Sequence, residues 1–141
     1  MPTHLLHMQD GIIDESYRPD AVFDDNLFHV TGIPNIKVQF HAVAKLFKTC
    51  KITIKSSTVE PVEEKLAASL PGGRVIQMYN LQDYTVGSKQ IPIECDTTIT
   101  IDAEGKITNH VDKWRKRWAN FGFLKRWGGS ATSALMKAVK Y

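Results

Sequence analysis

The 141-residue chain is poor in the features that most often announce a function. It has two cysteines, Cys50 and Cys95, far apart and outside any CxxC spacing. That usage implies idle thiols in a reducing compartment rather than a disulfide. No apolar run is long enough to span a bilayer, and no basic segment leads into an apolar stretch at the start, so an intracellular protein is expected. The signatures GxGxxG, P-loop, GxSxG and HExxH are all missing. The histidines other than His110, namely His4, His7, His29 and His41, show no metal-ligand spacing with one another or with a cysteine. Neither a metal nor a cofactor is expected. Acid is missing from the end of the chain: residues 113–141 carry eight Lys and Arg and no Asp or Glu. Residues 1–112 carry ten Lys and Arg against fifteen Asp and Glu, so a mildly acidic body precedes a basic tail.

What remains is the composition of an ordinary globular chain. Hydrophobic residues make up 43% and charged residues 23%, and one domain of this length buries its own core without metal or disulfide staples. Residues 3–16 read as a short helix bearing Leu5, Leu6, Met8, Ile12 and Ile13, weakened by Gly11. Tyr17-Arg18-Pro19-Asp20 reads as a turn into a short extended piece, Ala21-Val22-Phe23. Asp24-Asp25-Asn26 interrupts the pattern before Leu27-Phe28-His29-Val30. Pro34 lies near a helix start, and Ile36, Phe40, Val43 and Phe47 recur at helical spacing, which predicts the best helix of the chain.

From Lys51 the texture turns to β-branched alternation through Ser56 and on toward Val59. Residues 60–70 suit a short helix inside a long connection, closed by Pro71-Gly72-Gly73. Strands are predicted over Arg74–Val86, over Ile91–Ile101 and from Lys106 to about Arg115. Helices first and long strands after argue an α+β domain over residues 1–116, a curved antiparallel sheet with helices on one face. Residues 117–141 form a basic extension.

The last hairpin carries the densest chemistry. Asp102-Ala103-Glu104-Gly105-Lys106 suits a three-residue loop with Gly105 in the left-handed position. Strict alternation sets Ile101 opposite Ile107 and Thr98 opposite His110. It puts Ile107, Asn109, Val111 and Lys113 on one face, and Thr108, His110, Asp112 and Trp114 on the other. The first face is the oilier, and by that criterion it faces the core. The second holds an imidazole and a carboxylate side by side.

Taken in order, Tyr17-x-Pro19-Asp20-Ala21-x-Phe23-x-Asp25, then Phe28 and Gly32, a helix, and strands ending in Asp102-x-x-Gly105-Lys106-Ile107-x-x-His110-x-Asp112-x-Trp114 resemble the nuclear transport factor two-like superfamily. That group includes the SnoaL-like cyclases, ketosteroid isomerase and scytalone dehydratase. The likeness covers roughly residues 10–116 and is nearest to uncharacterised members whose last strand carries an HxDxW element. The resemblance implies bent strands wrapped around a long helix, a pocket at the wide end, and His110, Asp112 and Trp114 lining it. It therefore favours the polar face of the last strand, against the oily one. The superfamily's longer first helix has only about sixteen residues to form here.

Two catalytic roles are open. His110 can move a proton near neutral pH with Asp112 orienting it. Alternatively Asp112, desolvated beside Trp114, acts as the base with a raised pKa. Neighbours on one strand face stand about 7 Å apart, so a direct hydrogen bond between the two is permitted but not required. Tyr79 and Tyr84 lie five apart and so on opposite faces, and only one can point inward to polarise a carbonyl. Phe28 and Asp25 complete the expected ligand-binding set with Trp114. The implied chemistry is cofactor-free proton transfer, isomerisation, cyclisation or dehydration of a small, largely apolar ligand. The plainer alternative makes His110 and Asp112 a satisfied structural pair and Trp114 a plug.

For partners, Trp114, Trp118, Phe121 and Leu124 recur at helical spacing among Lys113, Arg115, Lys116, Arg117, Lys125 and Arg126. Such a segment suits an anionic membrane surface or a partner's acidic groove, or simply packs on the chain's own acidic body. That acidic body argues against a dedicated nucleic-acid binder. A homodimer is implied by the resemblance, and an interaction module using the open sheet face is the rival to a ligand-binding domain.

Overall fold

The computed structural model describes residues 3–25, 28–47 and 49–115. The basic extension over 117–141 lies outside the described residues, and with it the expected aromatic spacing at Trp118, Phe121 and Leu124.

The elements run α1 (Thr3–Ser16), β1 (Tyr17–Asp24), β2 (His29–Thr31), α2 (Ile33–Leu46), β3 (Thr49–Pro61), α3 (Glu64–Ala67), β4 (Arg74–Val86), β5 (Lys89–Ile101) and β6 (Ile107–Trp114). The strands form one curved, unclosed six-stranded sheet in the order β2-β1-β6-β5-β4-β3. Neighbours are antiparallel except β1 and β6, which run parallel. The first strand thus joins the last, bringing α1 and α2 onto the face of the sheet where the core forms.

Tyr17 to Asp20, expected as a turn, is instead the first half of β1. The turn signal came from Pro19, which cannot donate to a ladder and so belongs where pairing lapses. The register with β6 lapses at that point: Tyr17 pairs with Ile107, and pairing resumes only at Val22 with Asn109. Gly32, at φ 90°, turns the chain from β2 into α2 while its N–H donates to Ala21 O at 2.8 Å. A side chain would be strained at that angle. Pro34 sits in the first turn of α2, where its missing N–H costs nothing.

The core cluster is Ile13, Tyr17, Ala21, Phe23 and Ile36, with Val30, Ile33, Phe40 and Ile107 packed against it. Ile36 is fully buried, and truncating such an Ile to Ala costs about 2–5 kcal/mol. Two polar pairs tie α1 to α2: Lys37 Nζ to Asp14 Oδ1 at 2.8 Å and His41 Nε2 to Asp10 Oδ1 at 2.7 Å.

The last hairpin forms as expected at its tip. Asp102 O accepts from Gly105 N at 3.0 Å, and Gly105 has φ 83°. Buried Asp102 braces the loop, its Oδ1 accepting from Glu104 N and Lys106 N, its Oδ2 meeting Arg18 Nε at 2.8 Å. Beyond the tip, simple alternation fails. Ile101 pairs with Ile107 but Thr100 pairs with Asn109, which leaves Thr108 as an extra residue. This bulge moves the partner of His110 from the expected Thr98 to Ile99. It also resolves the conflict between the two faces. Ile107 packs on the core cluster, and past the extra residue His110 and Asp112 reach that same side.

A cavity closed by two glutamines and opened along an edge strand

The concave side of the sheet and α2 enclose a cavity of about 510 Å³, within the usual range for small-molecule sites. Its apolar lining comes from Phe23 on β1, Phe40 and Val43 on α2, Phe47 just past the end of α2, and Ile52 and Ile54 on β3. Met78 and Ile99 extend it along β4 and β5, while Gln9 of α1 and Gln39 of α2 close the helical side. Ile52 and Ile54 are about 60% exposed, 60% and 58%, because β3 pairs only with β4 and forms the edge of the sheet. The cavity therefore opens along that edge.

Polar side chains gather opposite the helices. His110 Nε2 lies 3.2 Å from Asp112 Oδ1, and Thr97 Oγ1 donates to that same oxygen at 2.6 Å. Asn80 Nδ2 donates to Thr97 Oγ1 at 2.9 Å, Gln82 Nε2 to Asn80 Oδ1 at 3.1 Å, and Tyr84 Oη to Gln82 Oε1 at 2.7 Å. On the other flank Tyr17 Oη meets His110 Nδ1 at 2.8 Å. The imidazole stacks parallel to the Tyr17 ring and tilts against Phe23, with centroids 6.2 Å and 4.6 Å away. One hydrogen-bonded chain thus runs from Tyr17 to Tyr84 across β1, β6, β5 and β4.

Burial pushes the Asp112 carboxyl up, but the His110 hydrogen bond and charge, with bonds from Thr97 and Gln82, more than reverse this and hold it below the usual carboxylate range. The raised pKa considered for Asp112 is thereby corrected in sign: the expectation weighed desolvation without the three neighbours that stabilise the anion. An ionised Asp112 only accepts, so Nε2 of His110 donates to it, and in the neutral ring Nδ1 accepts from Tyr17. Burial, then the Asp112 charge, pushes the Tyr17 phenol well above its ordinary value, so it keeps its proton. Tyr84 is pushed up in the same way, first by burial.

The structure brings His110, Asp112, Tyr84 and Asp25 together around this cavity. Asp25 Oδ1 accepts from Phe28 N at 2.7 Å and its Oδ2 from Gln39 Nε2 at 3.0 Å. Phe28 is not part of the lining and contributes its backbone to that turn. Tyr79 points to the other side of β4, where its hydroxyl donates to Glu94 Oε1 at 2.8 Å and Arg115 stacks over its ring at 3.6 Å. Trp114 pairs with Cys95, a step beyond Asp112, and is not among the lining residues. Sequence reasoning missed Thr97, Asn80, Gln82 and the site role of Tyr17. Asn80, Gln82 and Tyr84 did leave a signal: polar side chains at every second position of a long strand.

No family model matches the sequence, and no curated protein matches it. Solved structures do. A candidate scytalone dehydratase from Novosphingobium aromaticivorans superposes with a TM-score of 0.61 at 12% identity, covering 80% of this chain and 75% of that one. A candidate isomerase of the SnoaL-like family from Agrobacterium tumefaciens gives 0.56 at 11% identity, covering 79% and 84%. A candidate SnoaL-like polyketide cyclase from Jannaschia sp. gives 0.54 at 13% identity, covering 75% and 72%. At such identities the likeness is one of architecture: this chain has the α+β cone fold of these SnoaL-like and scytalone dehydratase-like structures.

Proposed function

We propose that the cavity binds a small, largely apolar molecule and that Asp112, held by His110, accepts a proton from it in cofactor-free chemistry of the isomerase, cyclase or dehydratase type. The observation that carries this reading is the placement of a His–Asp pair, 3.2 Å apart, at the polar end of an otherwise oily cavity of about 510 Å³. Neighbours of the same architecture named as a dehydratase, an isomerase and a cyclase support the reaction class.

The roles follow from the bonding. Both nitrogens of His110 are occupied, Nε2 by Asp112 and Nδ1 by Tyr17, so the imidazole orients and Asp112 accepts. A carboxylate stabilised this well is a weak base. It suits a proton already acidified, such as one on carbon next to a carbonyl, drawn out at short range in a dry site. His110 and Thr97 then hold the carboxyl in place for the return of the proton.

The direct test is a ligand screen on the full chain followed by turnover measurements with Asp112→Asn, whose amide keeps the shape and the acceptor oxygen. A loss of about a hundredfold or more in kcat is expected for removal of a positioned base. Unchanged turnover would sink the assignment while leaving ligand binding intact.

A non-catalytic partner-binding role is the second reading, and its support is the exposed edge strand. Ile52, Ile54 and Val59 of β3 are each more than half exposed, and a long unpaired edge with apolar side chains is suited to taking up a further chain. Chemical crosslinking and sedimentation of the full chain against Val59→Lys, which lies outside the cavity lining, would separate the two. Loss of self-association with ligand binding retained favours a dimer built on β3.

A further inference from the structure

Around the cavity the donors are committed and the acceptors are in surplus. From Tyr84 through Gln82, Asn80 and Thr97, each side chain passes a proton toward Asp112. Tyr17 Oη bonds Nδ1 of His110, whose Nε2 bonds Asp112, and Gln82 also bonds Asp112 directly. Among the described residues, the buried side-chain nitrogens and oxygens that lack a partner are Gln9 Oε1 and Gln39 Oε1. Both are acceptors, and both belong to residues lining this cavity. Gln39 is 5% exposed, and turning its amide round is no remedy. Its Nε2 donates to Asp25 Oδ2 at 3.0 Å, and the reversed group would set oxygen against carboxylate.

Charge runs the same way. The lining carries Asp25 and Asp112 and, among the described residues, no Lys or Arg. The rings of Phe23, Phe40 and Phe47 supply much of the remaining wall, and aromatic faces attract cations.

We infer that the ligand's polar end is a hydrogen-bond donor without negative charge, a protonated amine or a hydroxyl on an apolar body, and that carboxylates and phosphates are rejected. This deepens the proposed ligand-binding reading and rests on it. A donor meets acceptors that otherwise go unpaired, whereas an anion would be desolvated beside Asp112 with no Lys or Arg among the described lining residues to offset it. A protonated amine adds attraction to the carboxylates and to the rings, so it binds best.

The test uses four probes that share one ring system: naphthylmethylamine, naphthylmethanol, its methyl ether, and naphthoate. Each is titrated by calorimetry into the full chain at neutral pH. The amine and the alcohol are expected to bind roughly tenfold or more tighter than the ether and the carboxylate, the amine most tightly. An ether or carboxylate that binds as well as the alcohol overturns the donor rule but leaves the cavity as the binding site. No binding by any of the four overturns both. In Asp112→Asn the advantage of amine over ether should fall about tenfold with ether affinity kept. An unchanged advantage overturns the attraction of the amine to Asp112.

Discussion

Ile107 and His110 face the same interior although they stand three residues apart on one strand. An odd spacing should send them to opposite faces, and the extra residue at Thr108 is what brings them back together. The bulge lets β6 give an apolar side chain to the core near the tip and polar ones to the cavity further on. Deleting Thr108 forces a choice: either Ile107 stays inside and His110 and Asp112 turn outward, or the reverse. Both outcomes bury the wrong groups, and a loss on the order of 3 kcal/mol or more is expected. Urea denaturation checks it, and an unmoved midpoint would show that the strand has another way to correct its register.

How much of this was legible in the sequence follows from where its periodicities hold. The apolar stripe of α2 at Ile36, Phe40 and Val43, the long strands β4 and β5 and the Gly105 turn are local signals, and each lies where local preference puts it. Phe47, expected to extend the stripe, falls just past the helix in extended backbone. The parity argument for Tyr79 and Tyr84 also holds, because β4 pairs with β5 without interruption. The faces of β6 were not legible, since nothing local in Ile107-Thr108-Asn109 announces a bulge. It arises from pairing with strands on both sides. The parallel junction of β1 with β6, and with it the contact of Tyr17 with His110 across 93 residues, likewise depends on tertiary closure. Composition could place a His–Asp pair on one strand. It could not supply the three neighbours that invert the expected shift of Asp112.

Tyr17→Phe tests that long-range contact. The ring is kept, so packing against the core survives, but Nδ1 of the part-buried His110 loses its hydrogen-bond partner. A cost of about 1–2 kcal/mol is expected in urea denaturation. Nitrogen NMR of the imidazole should show the protonated-Nε2 form giving way to a mixture of tautomers. A spectrum identical to that of the parent chain would mean that Asp112 alone fixes the tautomer.

Stability toward acid reports on Asp112. Its carboxyl lies below the ordinary 3.8 in the folded chain, so the unfolded chain binds the proton more readily. The contribution is complete above the unfolded value and is lost as pH falls through the folded one. Asp112→Asn lacks this dependence. Its stability should fall less steeply than the parent's as pH is lowered below about 4, measured by urea midpoints at a series of acidic pH values. Parallel curves would show that Asp112 is not stabilised as an anion.

Gly105→Ala probes the hairpin that positions β6. Nothing lies within 4 Å of a Cβ built there, so the cost is purely that of φ 83°. About 1 kcal/mol of stability should be lost, with ligand affinity unchanged because the loop lies outside the cavity lining. A much larger loss by thermal or urea unfolding would mean that the loop rearranges and carries β6 with it.

The two tyrosines of β4 give the sharpest check on which face lines the site. Tyr84→Phe removes the outermost donor of the chain that ends at Asp112 and leaves Gln82 Oε1 without its 2.7 Å partner. With Gln82 buried, a stability loss of about 1–3 kcal/mol is expected. Affinity for a cavity ligand should change too, because Gln82 becomes free to turn and its bond to Asp112 loosens. Tyr79→Phe breaks only the bond to Glu94 on the opposite face, where substitutions usually stay within about 0.5 kcal/mol, and Arg115 keeps its stacking surface. Calorimetric titration of both variants with one cavity ligand decides the matter. Altered affinity in Tyr79→Phe with none in Tyr84→Phe would reverse the faces of β4 and, through its pairing with β5, displace Asp112 from the site.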